Sequence, residues 1–306
     1  MTRWTQANIP AQHGRTAIVT GTGGLGFEDA LALARAGASV VVAGRSGAKG
    51  AEALSRIRAA VPSAQVRFEQ LDLASLSSVA AFAARISERH EAVDVLINNA
   101  GVMVPPRREV TADGFELQLG TNYLGHFALT AHLLPLLRED ARVVSLSSVA
   151  ARAGVINFED LNSARDYAPM RAYSQSKLAC LMFAYELQRR SAAMGWGIRS
   201  IASHPGIART DLLHNGPGRR SAHGLARTLL PFLFQPADRG ALPTLYAATA
   251  PDAVGGAYYG PDGVAEVRGY PTLATVPTQA TDEAVAARLW RVSEELAGIS
   301  FPHGAT

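Results

Sequence analysis

Short apolar runs alternate with longer amphipathic segments along most of this chain. The runs suit strands buried in a sheet, and the segments between them repeat apolar residues with the period of a helix. Predicted strands are 17–19, 40–43, 66–71, 93–97, 143–146, 198–202 and 256–259. Predicted helices are 25–36, 48–60, 76–89, 115–137, 169–190, 237–248 and 282–296. This alternation predicts an α/β fold with a three-layer, doubly wound parallel sheet of about seven strands.

A glycine-rich loop follows the first predicted strand. Gly21, Gly23 and Gly26 form the pattern G-x-G-x-x-G between a strand and a helix. In such a loop the first glycine permits a tight turn and the second lets a pyrophosphate approach backbone N–H groups, while the third lets helix and strand pack closely. The pattern alone is weak, but its place in a β-α-β unit predicts a Rossmann-type dinucleotide site.

The end of the second strand bears on which dinucleotide binds. Sites that prefer NAD usually place a carboxylate there for the ribose 2′-hydroxyl, and none occurs between Val40 and Gly50. Arg45 stands there instead, where a guanidinium suits a 2′-phosphate. We therefore expect NADP(H) to be preferred, with NAD(H) possible. The alternative is that Arg45 is an ordinary surface residue of an arginine-rich chain.

Tyr173 and Lys177 are the strongest candidates for catalysis. They are four residues apart, so a helix would place both on one face. The chain has 29 basic residues, yet only Lys49 and Lys177 are lysines, so chance rarely produces this pair. A nearby ammonium favours the phenolate form of tyrosine, whose ordinary pKa is about 10. Such a phenol can exchange a proton with an alcohol or a carbonyl.

Composition excludes several classes of function. With 48% apolar and 18% charged residues and a net charge of +3, the chain is globular and lacks the basic stripe of a nucleic-acid binder. A single cysteine, Cys180, excludes an internal disulfide, and the common metal and nucleophile motifs are missing, so no metal is expected. His126 and His204 are interpreted as structural. Neither a signal peptide nor a membrane span is evident, which makes the cytoplasm the expected compartment.

Residues 207–235 break the alternation. Polar turns are followed there by an apolar segment, 229–234. An insertion directly after the sixth strand predicts a helical lid over an apolar substrate, with an ordinary core helix as the alternative. Because no linker or repeat interrupts the rest, residues 1–306 are predicted to form a single domain.

Taken together, the motifs resemble those of the short-chain dehydrogenase/reductase superfamily. Besides the glycine loop and the Tyr-Lys pair, they include Asn98-Asn99-Ala100-Gly101, Asn122-Tyr123-Leu124-Gly125-His126-Phe127 and His204-Pro205-Gly206. The last two look most like the retinol dehydrogenase and protochlorophyllide reductase branch. One departure is the glycine loop, which is one residue shorter than the family's Thr-Gly-x-x-x-Gly-x-Gly at a position that usually helps to hold the adenosine ribose or its phosphate.

The resemblance implies a role for each matching residue. Tyr173 would be the general acid/base, and Lys177 would lower its pKa and bind the nicotinamide ribose. Ser148 would hold the substrate oxygen, and Asn122 would complete a proton relay through its helix backbone and a water. Asp72 would contact the adenine and Thr210 the nicotinamide amide. Implied cofactor contacts also include Gly21, Gly23, Gly24, Leu25, Gly26, Arg45, Leu73, Asn99, Ala100, Gly101, Tyr173, Lys177, Pro205 and Gly206.

Three functions stay open at this point. The first is an NADP(H)-dependent oxidoreductase that interconverts an apolar alcohol, with a secondary one favoured, and its ketone or aldehyde. The second is a light-dependent or other C=C reductase of the same superfamily, against which the single cysteine argues. The third is a non-catalytic dinucleotide sensor, prompted by the short glycine loop. The resemblance also implies a homodimer or homotetramer, in which helices 115–137 and 169–190 could pair.

Overall fold

A computed structural model describes residues 3–89, 92–208 and 235–302. Within them, eight strands form one sheet in the order β3-β2-β1-β4-β5-β6-β7-β8. The strands are β1 (Thr16–Thr20), β2 (Ser39–Gly44), β3 (Val66–Gln70), β4 (Val93–Asn98), β5 (Leu137–Leu146), β6 (Arg199–Ser203), β7 (Tyr258–Pro261) and β8 (Pro271–Leu273). All neighbours pair in parallel except β7 and β8, which are antiparallel. The doubly wound sheet is confirmed, and the strand missed by the prediction is β8, whose short sequence is largely exposed.

Helices cover both faces of this sheet, as expected for three layers. They are α1 (Gly24–Arg35), α2 (Gly47–Ala60), α3 (Leu76–Arg89), α4 (Gly125–Leu133), α5 (Pro169–Met194), α6 (Ala237–Gly240), α7 (Leu242–Thr249) and α8 (Glu283–Ala297). Because side chains alternate along a strand, Ile18 of β1 joins the core under α3, α4, α5 and α8, while Val19 joins the core under α1, α2 and α7.

The segment predicted as one helix, 115–137, is more varied in the structure. Leu119–Leu124 form a π-helical turn, α4 follows it, and a 3-10 turn at Leu134–Leu136 leads directly into β5. Pro135 lacks the N–H that a longer α-helix would need. The period of the apolar residues reveals neither the π-helical turn nor the 3-10 turn, because these residues are buried in either conformation. The predicted helix 237–248 is likewise divided into α6 and α7, where Pro243 lies in the first turn of α7.

The carboxyl ends of the seven parallel strands meet at one edge of the sheet. The chain builds outward from β1 to β3 and then from β4 to β7, so a crevice is expected at this edge between β1 and β4. The predicted lid falls outside the described residues except at its two ends, where Ala208 pairs with Gln235. Within the described ranges, no helix is both long enough and apolar enough to cross a bilayer.

Candidate active site

The loop between β1 and α1 is tightly packed against the loop that follows β4. Gly21 has a φ of 103°, and a Cβ added to it would lie 2.7 Å from Nδ2 of Asn99. A Cβ added to Gly26 would lie 2.5 Å from the same atom. Asn99 uses that nitrogen to donate to the carbonyl oxygen of Thr20 at 2.7 Å. Gly21 and Gly26 are therefore required by close packing and, for Gly21, by backbone conformation.

The start of α1 has the properties of an anion site. Among the described residues, a Cβ added to Gly23, the N-cap residue, would meet nothing within 4 Å, and no side chain caps the helix. The first turn of α1 holds no acidic residue. No described residue therefore occupies the space in front of the first N–H groups and the positive end of the helix dipole. A pyrophosphate fits there, so the residues present suit a dinucleotide even with the shorter loop.

A cavity of about 160 Å³ opens beside this loop. Predicted residues that line it are Gly21, Arg45, Asp72, Leu73, Ala100 and Gly101. Arg45 is exposed, and no carboxylate pairs with it in the part of the chain that the structure describes. Thr22 and Thr121 also line the cavity and were not predicted. The cavity thus joins the ends of β1, β2, β3 and β4, as expected for the adenosine half of a dinucleotide.

Tyr173 and Lys177 lie on the first half of α5, and both are only 5% exposed. Nζ of Lys177 is 5.9 Å from the centre of the Tyr173 ring and donates to the carbonyl oxygen of Leu146 at 3.1 Å. No carboxylate within the described residues pairs with this ammonium. Burying an ammonium without a carboxylate partner costs stability, so a purely structural role explains Lys177 poorly.

The end of β5 lies against the same helix. Ser147 Oγ donates to the carbonyl oxygen of Lys177 at 2.8 Å, which ties the strand end to this turn of α5. Ser148 comes next and caps the 3-10 turn Val149–Ala153, where its Oγ accepts from the N–H of Ala150 at 3.2 Å. No acceptor within the described ranges takes the hydroxyl proton of Ser148. Ser148 can therefore donate to an oxygen atom of a ligand.

The π-helical turn positions Asn122, and turns of this kind occur frequently at functional sites. Its Oδ1 accepts from the N–H of Val102 at 2.8 Å, and its Nδ2 donates to Ser176 Oγ at 3.0 Å. Its backbone carbonyl accepts from Nδ1 of His126 at 2.9 Å and from Sγ of Cys180 at 3.2 Å. Both lone pairs of this carbonyl are therefore engaged, whereas a relay through a water would need one of them. The relay stays a prediction.

His126 connects this turn to the cofactor side of the crevice. Since a carbonyl only accepts, Nδ1 of His126 carries the proton that is donated to Asn122. Nε2 must then accept, and the hydroxyl of Thr20 lies 2.9 Å from it. Thr20 Oγ1 in turn accepts from the N–H groups of Asn99 and Ala100. Burial lowers the pKa of His126 to about 4, so the ring is neutral near pH 7, as this arrangement requires.

The predicted site residues that the structure describes follow strands at this edge or lie on α1 or α5, except Asn122, which lies in the π-helical turn before α4. Thr210 lies outside the described residues. Thr20 directly precedes the glycine loop and His126 lies inside a quoted motif, but neither received a role in the site, because their contacts join residues far apart in sequence. The structural interpretation of His126 and His204 agrees with their burial. Within the described ranges no cluster of His, Cys, Asp or Glu could hold a metal ion.

Known proteins are similar to this chain over nearly its whole length. Residues 15–219 match the family model described as short chain dehydrogenase. Retinol dehydrogenase 13 of Mus musculus is 43% identical over 310 residues, which cover 98% of this chain and 88% of that protein. Polyprenol dehydrogenase of Mus musculus is 41% identical over 303 residues, covering 95% of this chain and 86% of that protein.

A solved structure also has a fold similar to that of this chain. An uncharacterized protein from Mycobacterium Paratuberculosis shares 43% sequence identity and superposes with a TM-score of 0.81, covering 98% of this chain and 100% of that one. The chain therefore belongs to the short-chain dehydrogenase/reductase family, in the branch of the retinol dehydrogenases, and is an oxidoreductase acting on CH–OH groups with NAD(P).

Proposed function

We propose that this protein interconverts an apolar alcohol and the corresponding aldehyde or ketone with NADP(H), using Tyr173 as the general acid/base. The observation that carries the proposal is the buried ammonium of Lys177, which has no carboxylate partner among the described residues and lies beside the Tyr173 ring. The names of the two curated relatives support an apolar substrate, since retinol and polyprenol are both apolar alcohols. Both are also primary alcohols, which favours the aldehyde among the two products expected from the sequence, a ketone or an aldehyde.

Each residue has a definite part in this mechanism. When bound, the nicotinamide would supply or accept the hydride at the substrate carbon. Tyr173 would give its proton to the substrate oxygen during reduction and take it back during oxidation. The charge of Lys177 would stabilise the phenolate that remains on Tyr173. The free hydroxyl proton of Ser148 would bind the substrate oxygen as negative charge develops on it.

The preference for NADP(H) rests on the end of β2. Arg45 is exposed at the rim of the cavity beside the glycine loop and has no ion-pair partner in the described residues. No carboxylate occupies the positions around it that would favour NAD. Because the glycine loop is one residue short, Arg45 would be the main contact of the 2′-phosphate.

A substrate panel tests the proposal. Primary and secondary apolar alcohols, their carbonyl counterparts and short polar alcohols are each assayed with NADP(H) and NAD(H), and turnover is followed by the absorbance of the reduced cofactor. We expect activity on the long apolar compounds and higher kcat/KM with NADP(H). No turnover of any compound in the dark or in light would contradict the proposal. Reduction of a C=C bond only under illumination would favour the light-dependent C=C reductase.

The sequence also left a non-catalytic dinucleotide sensor as an alternative, and the relationship to oxidoreductases argues against it. Binding of NADPH, followed by cofactor fluorescence, without turnover of any panel compound would favour the sensor. The presence of both Tyr173 and Lys177 favours the enzyme.

Assembly and compartment remain proposals as well. We propose a cytoplasmic homodimer or homotetramer, but α8 already covers the outer face of α4 and α5. A pairing of those two helices with a partner subunit would have to displace α8, so an oligomer is expected to use another surface. Light scattering on the purified protein measures the oligomeric state.

A further inference from the structure

The carboxylate of Glu266 joins three segments near the carboxyl edge of the sheet. Its Oε2 accepts from His204 Nε2 at 2.8 Å and from the guanidinium of Arg152 at 2.7 Å. Its Oε1 accepts from the N–H of Thr275 at 2.8 Å. His204 begins the turn after β6, Arg152 lies in the 3-10 turn that Ser148 caps, and Glu266 itself follows β7. One side chain thus connects the predicted nicotinamide side of the site with the loop of the predicted substrate-binding serine.

The proton on His204 is assigned by its two contacts. The N–H of Gly206 donates to Nδ1 at 3.2 Å, so Nδ1 is an acceptor and Nε2 carries the proton that Glu266 receives. His204 is fully buried, and this burial lowers its pKa to about 4, so it is neutral near pH 7. A Cβ added to Gly260 would clash with Nε2, so the ring packs directly against the backbone of Gly260. The orientation of His204 is therefore determined by both packing and hydrogen bonds.

The backbone around Glu266 is strained where it meets the turn. Ala265 and Glu266 have φ values of 52° and 57°, in the left-handed region that residues other than glycine rarely adopt. The N–H of Ile207 donates to the carbonyl oxygen of Val267 at 2.8 Å. A Cβ added to Gly206 would lie 2.2 Å from that same oxygen. Strain of this kind persists only where surrounding contacts enforce it, and it concentrates at functional sites.

We propose that Glu266 is a positioning residue that holds the His204-Pro205-Gly206 turn in the conformation that receives the nicotinamide half of the cofactor, and that it fixes this turn relative to Ser148. The inference rests on the proposed function, because Pro205 and Gly206 are cofactor contacts only in a dinucleotide-dependent enzyme. Glu266 lies outside every sequence motif that carries the family resemblance, and its role depends on a hydrogen bond across 62 residues.

The test compares Glu266→Gln with Glu186→Gln. Glu186 is a buried carboxylate paired with Arg189 and Arg190, whereas Glu266 is partly buried and paired with Arg152. Because Glu186 lies more than two turns beyond Lys177 on α5, its variant controls for the loss of an arginine-paired charge away from the turn. NADPH binding is titrated by cofactor fluorescence, and amide hydrogen exchange is measured for the peptide 200–208. For Glu266→Gln we expect the Kd of NADPH to rise by roughly 10-fold, the size of one lost hydrogen bond to a charged group.

Two further readouts separate positioning from general destabilisation. Exchange of peptide 200–208 is expected to accelerate in Glu266→Gln and to stay unchanged in Glu186→Gln. In the active enzyme, the KM for NADPH is expected to rise more than the KM for the alcohol. If Glu266→Gln does not fold, Arg152→Met removes only one donor, and we expect it to raise the Kd by about 3-fold.

If Glu266→Gln binds NADPH as tightly as the wild type and its peptide 200–208 exchanges at the wild-type rate, this inference is overturned and the proposed function stays intact. If Glu266→Gln and Glu186→Gln lose NADPH affinity equally, the inference is also overturned, because the effect is then general. Failure of the wild-type protein to bind NADPH or NADH would overturn the proposed function itself, and this inference with it.

Discussion

Arg45 and Lys177 are basic residues with contrasting surroundings, and each is expected to bind a different part of the same ligand. Lys177 is buried beside a phenol, whereas Arg45 is exposed at the rim of a cavity. An exposed guanidinium contributes little to stability, so its removal should change ligand choice and leave the fold intact. This contrast allows cofactor recognition to be tested without disturbing the catalytic residues.

Replacing Arg45→Asp should reverse the cofactor preference. The new carboxylate would repel a 2′-phosphate and could bind the ribose 2′-hydroxyl of NADH instead. We expect the Kd of NADPH to rise by roughly 10- to 100-fold, with the Kd of NADH unchanged or lower. Fluorescence titration measures both values. The control Arg291→Asp, on the exposed face of α8, makes the same charge change away from the cavity and should alter neither Kd. An unaltered cofactor preference in Arg45→Asp would contradict the assignment of Arg45 to the 2′-phosphate.

Asp29 makes stability depend on pH. It is fully buried in α1, and neither carboxylate oxygen has a hydrogen-bond partner among the described residues. Burial, aided by the charge of Glu28, raises the pKa of Asp29 well above its usual value of 3.8. The folded state thus holds the proton more tightly than the unfolded chain, so stability is lost as pH rises above about 4 until the folded-state pKa is reached.

Asp29→Asn removes this titration with little change in shape. The two proteins should have similar free energies of unfolding near pH 4. As pH rises, the variant should become the more stable one, by up to about 1.4 kcal/mol per pH unit until the wild-type carboxyl ionises in the folded state. Urea unfolding between pH 4 and pH 8 measures the difference. A difference that is constant with pH would show that Asp29 has an ordinary pKa.

At the scale of elements, α8 completes the core over α4 and α5. Trp290 is 1% exposed, and its ring centre lies 5.1 Å from that of Phe127 and 5.8 Å from that of Phe183. Ser293 adds a hydrogen bond of 2.7 Å to the hydroxyl of Tyr123, inside the π-helical turn that carries Asn122. The C-terminal helix therefore supports the site from outside its motifs.

Trp290→Ala should lower the free energy of unfolding by about 3–5 kcal/mol, because it opens a cavity among these aromatic rings. Urea denaturation measures the loss. The control Leu273→Ala removes a side chain of β8 that is 68% exposed and should change stability by less than about 0.5 kcal/mol. A loss below about 1 kcal/mol for Trp290→Ala would mean that α8 packs only loosely on α5.

Element prediction succeeded where a single pattern decided the conformation. The helix 76–89 was predicted with the bounds that the structure shows, because its apolar residues repeat with a regular period. The prediction of a single helix over 115–137 was wrong, since a π-helical turn and an α-helix bury the same apolar residues. The strand β8 was missed because its pairing with β7, and not its own composition, defines it.

For the molecule as a whole, the sequence indicates candidate residues of the site more readily than the contacts between them. Glycine spacing and the Tyr-Lys spacing are local, so they could be found without a structure. The contacts that orient the site are not local. His126 meets Thr20 across 106 residues, and Glu266 meets His204 across 62, in pairings that only the folded sheet brings together. Burial of Asp29 and the strained backbone at Glu266 likewise depend on packing that no motif encodes.

Tyr173 is proposed to act as the general acid/base, and its hydroxyl group is the atom group that this role requires. Tyr173→Phe keeps the ring and removes only the hydroxyl group. The matched control, Tyr185→Phe, makes the same change three turns further along α5, at a half-buried position away from the site.

The decisive measurement is kcat/KM for the best alcohol of the panel, together with the Kd of NADPH. For Tyr173→Phe we expect kcat/KM to fall by roughly 10²- to 10⁴-fold, the usual contribution of general acid/base catalysis, while the Kd stays within about 3-fold of wild type. Tyr185→Phe should retain wild-type turnover. A folded Tyr173→Phe protein with wild-type kcat/KM would contradict the account.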